Sequence, residues 1–131
     1  MSKAMKVKQL SFCLPSKIGL LYEVSSLITA AHINIEGICA YAMEEQGYFM
    51  LLTDNQTKAK KILAHMGAEV QTEDVIMIMM PNKIGELQKA AKKISDAGID
   101  ITYIYGSPNK GKMTLVLKTA NDRKALKVLN A

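Results

Sequence analysis

The heptapeptide PSKIGLL begins at Pro15, and PNKIGEL begins at Pro81. Sliding residues 15–35 by 66 positions onto residues 81–101 gives nine identities in 21 positions without a gap. Most differences keep chemical character: Ser16 faces Asn82, Thr29 faces Ser95 and Asn34 faces Asp100. This is an internal duplication, so a chain of 131 residues has to build the same unit twice. Units of that size bury little surface alone, and the expectation is one domain, or two very small ones sharing a core.

Each copy reads the same way. Leu10, Phe12 and Leu14 alternate with Gln9, Ser11 and Cys13, the period of a strand with one face on a core. After a turn through Gly19, the apolar residues Leu20, Leu21, Val24, Leu27, Ile28 and Ala31 recur at helical spacing. Ile84, Leu87, Ala90, Ala91, Ile94 and Ala97 do so in the second copy. The pattern returns to β at Ile33-Asn34-Ile35 and Ile99-Asp100-Ile101, then passes turn residues 44–47 and 106–111 into the apolar runs 48–52 and 113–117. A second helix follows, through Ala59, Ile62, Leu63 and Met66 in one copy and Ala125, Leu126, Val128 and Leu129 in the other. Gly67 is placed to terminate the first of these, and residues 69–72 supply a final short strand.

The fold class is therefore α+β: a ferredoxin-like βαββαβ unit repeated twice, each an antiparallel sheet with helices on one face. The expected domains are residues 1–74 and 75–131. In the second copy the last strand would fall at residues 134–139, beyond Ala131, which exposes the edge of residues 75–80. A partner subunit is expected to supply that strand, and this predicts a homodimer or higher homo-oligomer. The outward positions of the leading strands are Gln9, Ser11 and Cys13 in one copy and Val75, Met77 and Met79 in the other. The second set is an apolar face on which something should pack.

Composition narrows the function classes. The formal charge is +5, but 16 of the 17 basic residues are lysine, leaving Arg123 as the one planar fork for phosphate or base edges. The lysines are scattered over both halves on predicted helix faces, so nucleic acid is not the expected partner. No run of about 18 apolar residues is free of charge, and the first dozen residues lack a signal-peptide pattern, which predicts a cytoplasmic protein without membrane contact. Cys13 and Cys39 lie in strand-like runs with no metal spacing and are read as reduced core or near-core thiols.

The loops Ser16-Lys17-Ile18-Gly19-Leu20-Leu21 and Asn82-Lys83-Ile84-Gly85-Glu86-Leu87, with the strand starts Ile33-Asn34-Ile35 and Ile99-Asp100-Ile101, resemble the ACT domain. Two tandem copies cover almost the whole chain, an arrangement similar to small stand-alone tandem ACT proteins with no attached enzyme. The resemblance implies a regulatory protein that binds an amino acid or related metabolite, often between two ACT domains, and signals to an enzyme partner. In such domains ligand contacts come from the loop between the first strand and first helix, and from the start of the second strand of a neighbouring copy. Carried over, these are Ser16, Lys17, Ile18, Gly19 and Leu20; Asn82, Lys83, Ile84, Gly85 and Glu86; and Asn34 and Asp100. The chain departs from the family where Ser16 and Asn82 replace a common acidic residue, and where Ile18 and Ile84 replace a frequent proline.

A helix N-terminus exposes backbone N–H groups and a partial positive charge, on which a carboxylate can dock. Gly19 or Gly85 removes a blocking Cβ, Ser16 or Asn82 offers a capping oxygen, and Asn34 or Asp100 can receive an ammonium group, Asp100 the better by its charge. The same residues also suit plain capping and packing. If one corner alone binds, the second is favoured, because Asn82 and Glu86 pair there with Asp100.

Three other classes share the topology. Acylphosphatase-like enzymes need an arginine in the first loop, where this chain has Lys17 or Lys83. No nucleophile stands at a recognisable spacing from His32 or His65, so no catalysis and no cofactor is expected. RNA-recognition modules stack bases on sheet aromatics, whereas Tyr103 and Tyr105 share the alternation of Ile99 and Ile101 and are assigned to the core. A ligand-free interaction or dimerisation scaffold of the same fold is the alternative to metabolite binding.

Overall fold

The computed structural model describes residues 3–131. Ten elements follow one another: β1 (Lys3–Pro15), α1 (Leu20–Ala30), β2 (Ile35–Met43), β3 (Gln46–Thr53), α2 (Gln56–Ala64), β4 (Gln71–Pro81), α3 (Glu86–Asp96), β5 (Ile101–Asn109), β6 (Lys112–Thr119) and α4 (Asp122–Leu129). They divide into two compact units, Lys8–Glu73, and Asp74–Ala131 together with residues 3–7. Six antiparallel strands and four helices thus form the doubled βαββαβ pattern.

In the unit Lys8–Glu73, β3 pairs antiparallel with β1 and with β2. Leu10, Phe12 and Leu14 alternate inward and join Val24, Ile28, Leu51, Ala59 and Leu63 in one buried cluster, with the Phe12 and Phe49 rings stacked at 5.0 Å. In the other unit β6 pairs antiparallel with β4 and β5, and Ile76, Ile78 and Met80 play the parts of Leu10, Phe12 and Leu14. Each unit has its own buried cluster.

Both second helices start alike. Asn55 and Asn121 have the same backbone geometry (φ −151, ψ 81), and each side chain accepts from the N–H three residues on at 3.1 Å. The residue after each cap reaches back to the preceding strand. Gln56 Oε1 accepts from Thr53 Oγ1 at 2.6 Å, and Asp122 Oδ1 accepts from Thr119 Oγ1 at 2.7 Å. In the second unit Lys118 Nζ donates both to Asp122 Oδ2 at 2.9 Å and to the Asp74 carbonyl at 2.8 Å, tying β6, α4 and β4 together.

Several expectations are corrected. Residues 69–72 do not form a separate short strand; β4 runs unbroken from Gln71 to Pro81 and passes from one unit into the other. The edge of β4 does not wait for a partner subunit. β1 is hydrogen-bonded to β4, and the part of β1 in this unit is residues 3–7. Ala4 is buried in the second cluster, and Asn130 clasps it: the Ala4 N–H donates to Asn130 Oδ1 at 2.9 Å and Asn130 Nδ2 donates to the Ala4 carbonyl at 3.0 Å. Lys6 Nζ lies 3.9 Å from Asp74 Oδ2 on the same strands.

The faces differ too. A bulge between Ile101 and Tyr103 shifts the β5 register, so Ile104 stands opposite the core residue Leu117 while Tyr105 stands opposite Val116. Tyr103 and Tyr105 therefore turn from the face of Leu117 and are half-buried, and Ile101 and Ile104 turn to it but stay exposed, because one extra residue reverses every later side chain. Gln9 and Val75, expected outward, are fully buried, and Met77 and Met79 are half-buried. Cys13 and Cys39 are free thiols; Cys39 is half-buried, whereas Cys13 is exposed and is not the core or near-core residue expected. Leu21, Ile84 and Leu87, counted on buried helix faces, are exposed.

Two predictions follow from these ties. Asn130→Ala removes both bonds to Ala4 and should lower stability by about 1–3 kcal/mol, read by urea unfolding. Burial raises the Asp122 carboxyl, but hydrogen bonds from Lys118 and Thr119 and the Lys118 charge outweigh it, leaving its pKa below the ordinary value. A depressed folded pKa contributes stability above the unfolded value of about 3.9, lost as pH falls through the folded one. Asp122→Asn should thus be less stable than the parent at pH 7, and the gap should shrink as the pH falls below about 4.

Candidate functional site

The two strand-to-helix corners are built by the same backbone device. Gly19 and Gly85 are the N-cap residues of α1 and α3, with φ of 86° and 87°. That left-handed conformation is costly for any residue with a Cβ, which is why glycine stands at both. A Cβ at either would meet nothing within 4 Å, so close packing is not the reason. Neither helix has a side-chain cap. Ser16 and Asn82 are thus not caps, contrary to the expectation; their N–H groups donate to the hairpin tips, Ser16 to the Glu45 carbonyl at 2.9 Å and Asn82 to the Gly111 carbonyl at 3.0 Å.

The corner side chains are laid open. Ile18 and Ile84 are fully exposed, at 104% and 106%. Leu20 is buried, whereas its counterpart Glu86 is half-buried and lies 3.5 Å from Lys89 Nζ. Lys17 is held by Glu23 at 2.9 Å; at the position of Glu23 the second copy carries Lys89, so the cation Lys83 has no matching carboxylate there. The second corner is the more basic, with Lys110 and Lys112 flanking the Gly111 carbonyl that holds Asn82.

Asn34 and Asp100 lie elsewhere. The Asn34 N–H donates to Asp54 Oδ1 at 3.0 Å and its carbonyl accepts from the Asp54 N–H at 3.1 Å, and the Asp100 carbonyl accepts from the Ala120 N–H at 2.9 Å. In the sheet registers Ile35 faces Thr53, while Met43 and Pro15 both face Gln46. The loop Ser16 to Gly19 and the start of β2 are thus at opposite ends of their unit, roughly 25 Å apart at the ordinary strand rise. The second unit repeats this, with Ile101 facing Thr119 and Pro81 facing Lys112. No unit brings its own loop to its own Asn34 or Asp100.

From sequence alone residues 44–45 and 110–111 read only as turns. Glu44, Glu45, Lys110 and Gly111 have positive φ and adjoin the two corners through the bonds to Ser16 and Asn82. The acidic or basic flank that each gives its corner was legible as charge but not as location. Among the described residues no group of three or more His, Cys, Asp or Glu stands together as a metal site, and no helix is long and apolar enough to cross a membrane. His32 is an exposed turn residue with φ 59°, at the place of Gly98 in the other copy.

A family model described as an ACT domain pair matches residues 5–130, and the chain belongs to that family. Among solved structures, protein BT0572 from Bacteroides thetaiotaomicron superposes with a TM-score of 0.90 at 31% identity, over 97% of this chain and 88% of that one. The regulatory subunit of aspartate kinase from Thermus thermophilus, in its ligand-free form, gives 0.68 at 14% identity over 97% and 94%. Aspartokinase alpha and beta subunits give 0.65 at 19% over 98% and 95%. At these lower identities the likeness is one of fold. No curated protein matches the chain.

The left-handed corners make a direct prediction. Gly85→Ala should lower stability by about 1–2 kcal/mol although its methyl meets no atom, while Gly85→Asn should cost less, as read from thermal unfolding.

Proposed function

We propose that this chain is a non-catalytic regulatory protein that binds an amino acid or related small metabolite through its strand-to-helix corners, at interfaces between ACT domains. The observation that carries this reading is the doubled glycine-capped helix start. Each presents backbone N–H groups with no side-chain cap over a loop whose isoleucine is fully exposed. A ligand carboxylate docks on these donors, and its ammonium group is met by Asp100 or Asn34 of a neighbouring ACT domain, since the same unit's residue is out of reach. The second corner is favoured by Lys83 and Asn82, which stand on its own loop.

Assembly is supported by exposure that repeats with the sequence offset. Ile18 and Ile84, Leu21 and Leu87, and Ile38 and Ile104 are all exposed, the same three positions in each copy. Chance exposure would not recur in register; positions kept apolar for another ACT domain would. A homodimer or higher homo-oligomer, cytoplasmic and coupled to a regulated enzyme, follows from the reading.

A thermal-shift screen over the amino acids and related metabolites tests it. Ligand at 100 times its dissociation constant should add about 2.7 kcal/mol to native stability. Gly85→Val should abolish the shift relative to its own baseline, and Asp100→Asn should reduce it. A shift that survives both Gly19→Val and Gly85→Val sinks the loop assignment. A flat screen with a dimer intact by light scattering favours the ligand-free scaffold, and a monomer at micromolar concentration rejects the interface.

A further inference from the structure

An apolar cleft lies between α3 and β5 in the second unit. Ile78 and Leu115 are buried at its floor with Ala90 beside them, and the exposed side chains of Leu87, Ile101 and Ile104 form its mouth. The space is about 20 Å³, room for roughly one methyl group, and its wholly apolar lining offers a water nothing to bond. The duplication shows why it exists. Moving back 66 positions takes Ile78, Ala90 and Leu115 to Phe12, Val24 and Phe49, which fill the same ground in the first unit with two stacked rings and a larger aliphatic side chain. Three exchanges for smaller side chains thus open the cleft.

The charges nearby differ in the same sense. Both corners carry a fully exposed isoleucine, Ile18 or Ile84. Beside Ile18, Lys17 is held by Glu23 at 2.9 Å; beside Ile84, Lys83 is exposed and Lys89 stands in the place of Glu23. Next to the mouth residue Ile101 is the exposed carboxylate of Asp100, where the first unit has the neutral Asn34. The second unit therefore holds both halves of a contact, an apolar knob beside a cation and an apolar socket beside an anion. The first unit holds the knob without the socket.

We propose that the second units of two copies of this chain pair about a two-fold axis, Ile84 of each entering the other's cleft between α3 and β5 while Lys83 meets the other's Asp100. Two-fold symmetry sets the corner end of one unit beside the far end of the other, as the separation of Ile84 from Asp100 within a unit requires. An amino acid docked at the corner brings its ammonium group to the same carboxylate. The pairing rests on the reading that a neighbouring ACT domain meets the corner, and it adds which unit does so and through which side chains.

Sedimentation of the 131-residue protein measures the dimer dissociation constant. Ile84→Ser should raise it at least about tenfold, the scale of an apolar side chain withdrawn from each of two symmetric sockets. Ala90→Val, which restores the first unit's residue and fills the cleft, should raise it severalfold, and Ile18→Ser should leave it unchanged. The circular dichroism spectrum should stay the same in all three. Lys83→Asp and Asp100→Lys should each weaken the dimer, less so in high salt, and the double variant should recover most of the loss, which a merely structural role would not produce. A parent monomeric at micromolar concentration, a dimer indifferent to Ile84→Ser and Ala90→Val, or a charge swap without recovery would overturn the proposal. Binding of a free apolar amino acid that Ala90→Val abolishes, in a dimer unmoved by Ile84→Ser, would also overturn it, in favour of a small molecule in the cleft. The expected dimer effects in a protein that no amino acid stabilises would uphold the pairing and defeat the ligand reading alone.

Discussion

The edge of β4 is the constraint on which the second unit depends. A strand carrying Ile76, Ile78 and Met80 inward and a row of unpaired backbone groups along its side would invite any other strand to pair with it. Here residues 3–7 stand beside it, with Ala4 set into the apolar cluster and Asn130 bonded to both backbone groups of Ala4. One long strand thus contributes to two cores. Its first part serves the later half of the sequence, and its second part, with Leu10, Phe12 and Leu14, serves the earlier half.

Much of this was legible in the residues. The offset of 66 identified the duplication, and alternation against helical spacing located the strands and helices. The pairing partner of residues 3–7 was not legible, because KAMKV reads as strand without saying which edge it meets. The β5 face was misread for a related reason. In ITYIY isoleucine and tyrosine both satisfy an apolar alternation, and a one-residue bulge decides between faces without leaving a mark in composition. Burial of Gln9 was invisible as well, since a lone polar residue in a strand reads as outward.

The candidate site divides in the same way. Glycine at both corners could be read from sequence, but its reason is backbone conformation and not the shape of a neighbour. Separation of the corners from Asn34 and Asp100 comes from strand register, which no local motif encodes. The duplication remains informative after the structure is known. Positions that match across the copies report shared architecture, such as the Asn55 and Asn121 caps, and positions that differ, such as Glu23 against Lys89, report where the two halves have diverged in chemistry.

The contact between Ala4 and Asn130 spans 126 positions. Residues 3–7 precede the unit Lys8–Glu73 in the sequence, whereas Asn130 comes at the far end of the second copy. The unit Lys8–Glu73 is one continuous segment and can gather its own strands and helices, but the other unit needs segments from both sides of it. Joining segments so far apart carries a loop-closure cost that the continuous unit does not bear, so the two halves of a duplicated sequence differ in contact order although they share a pattern.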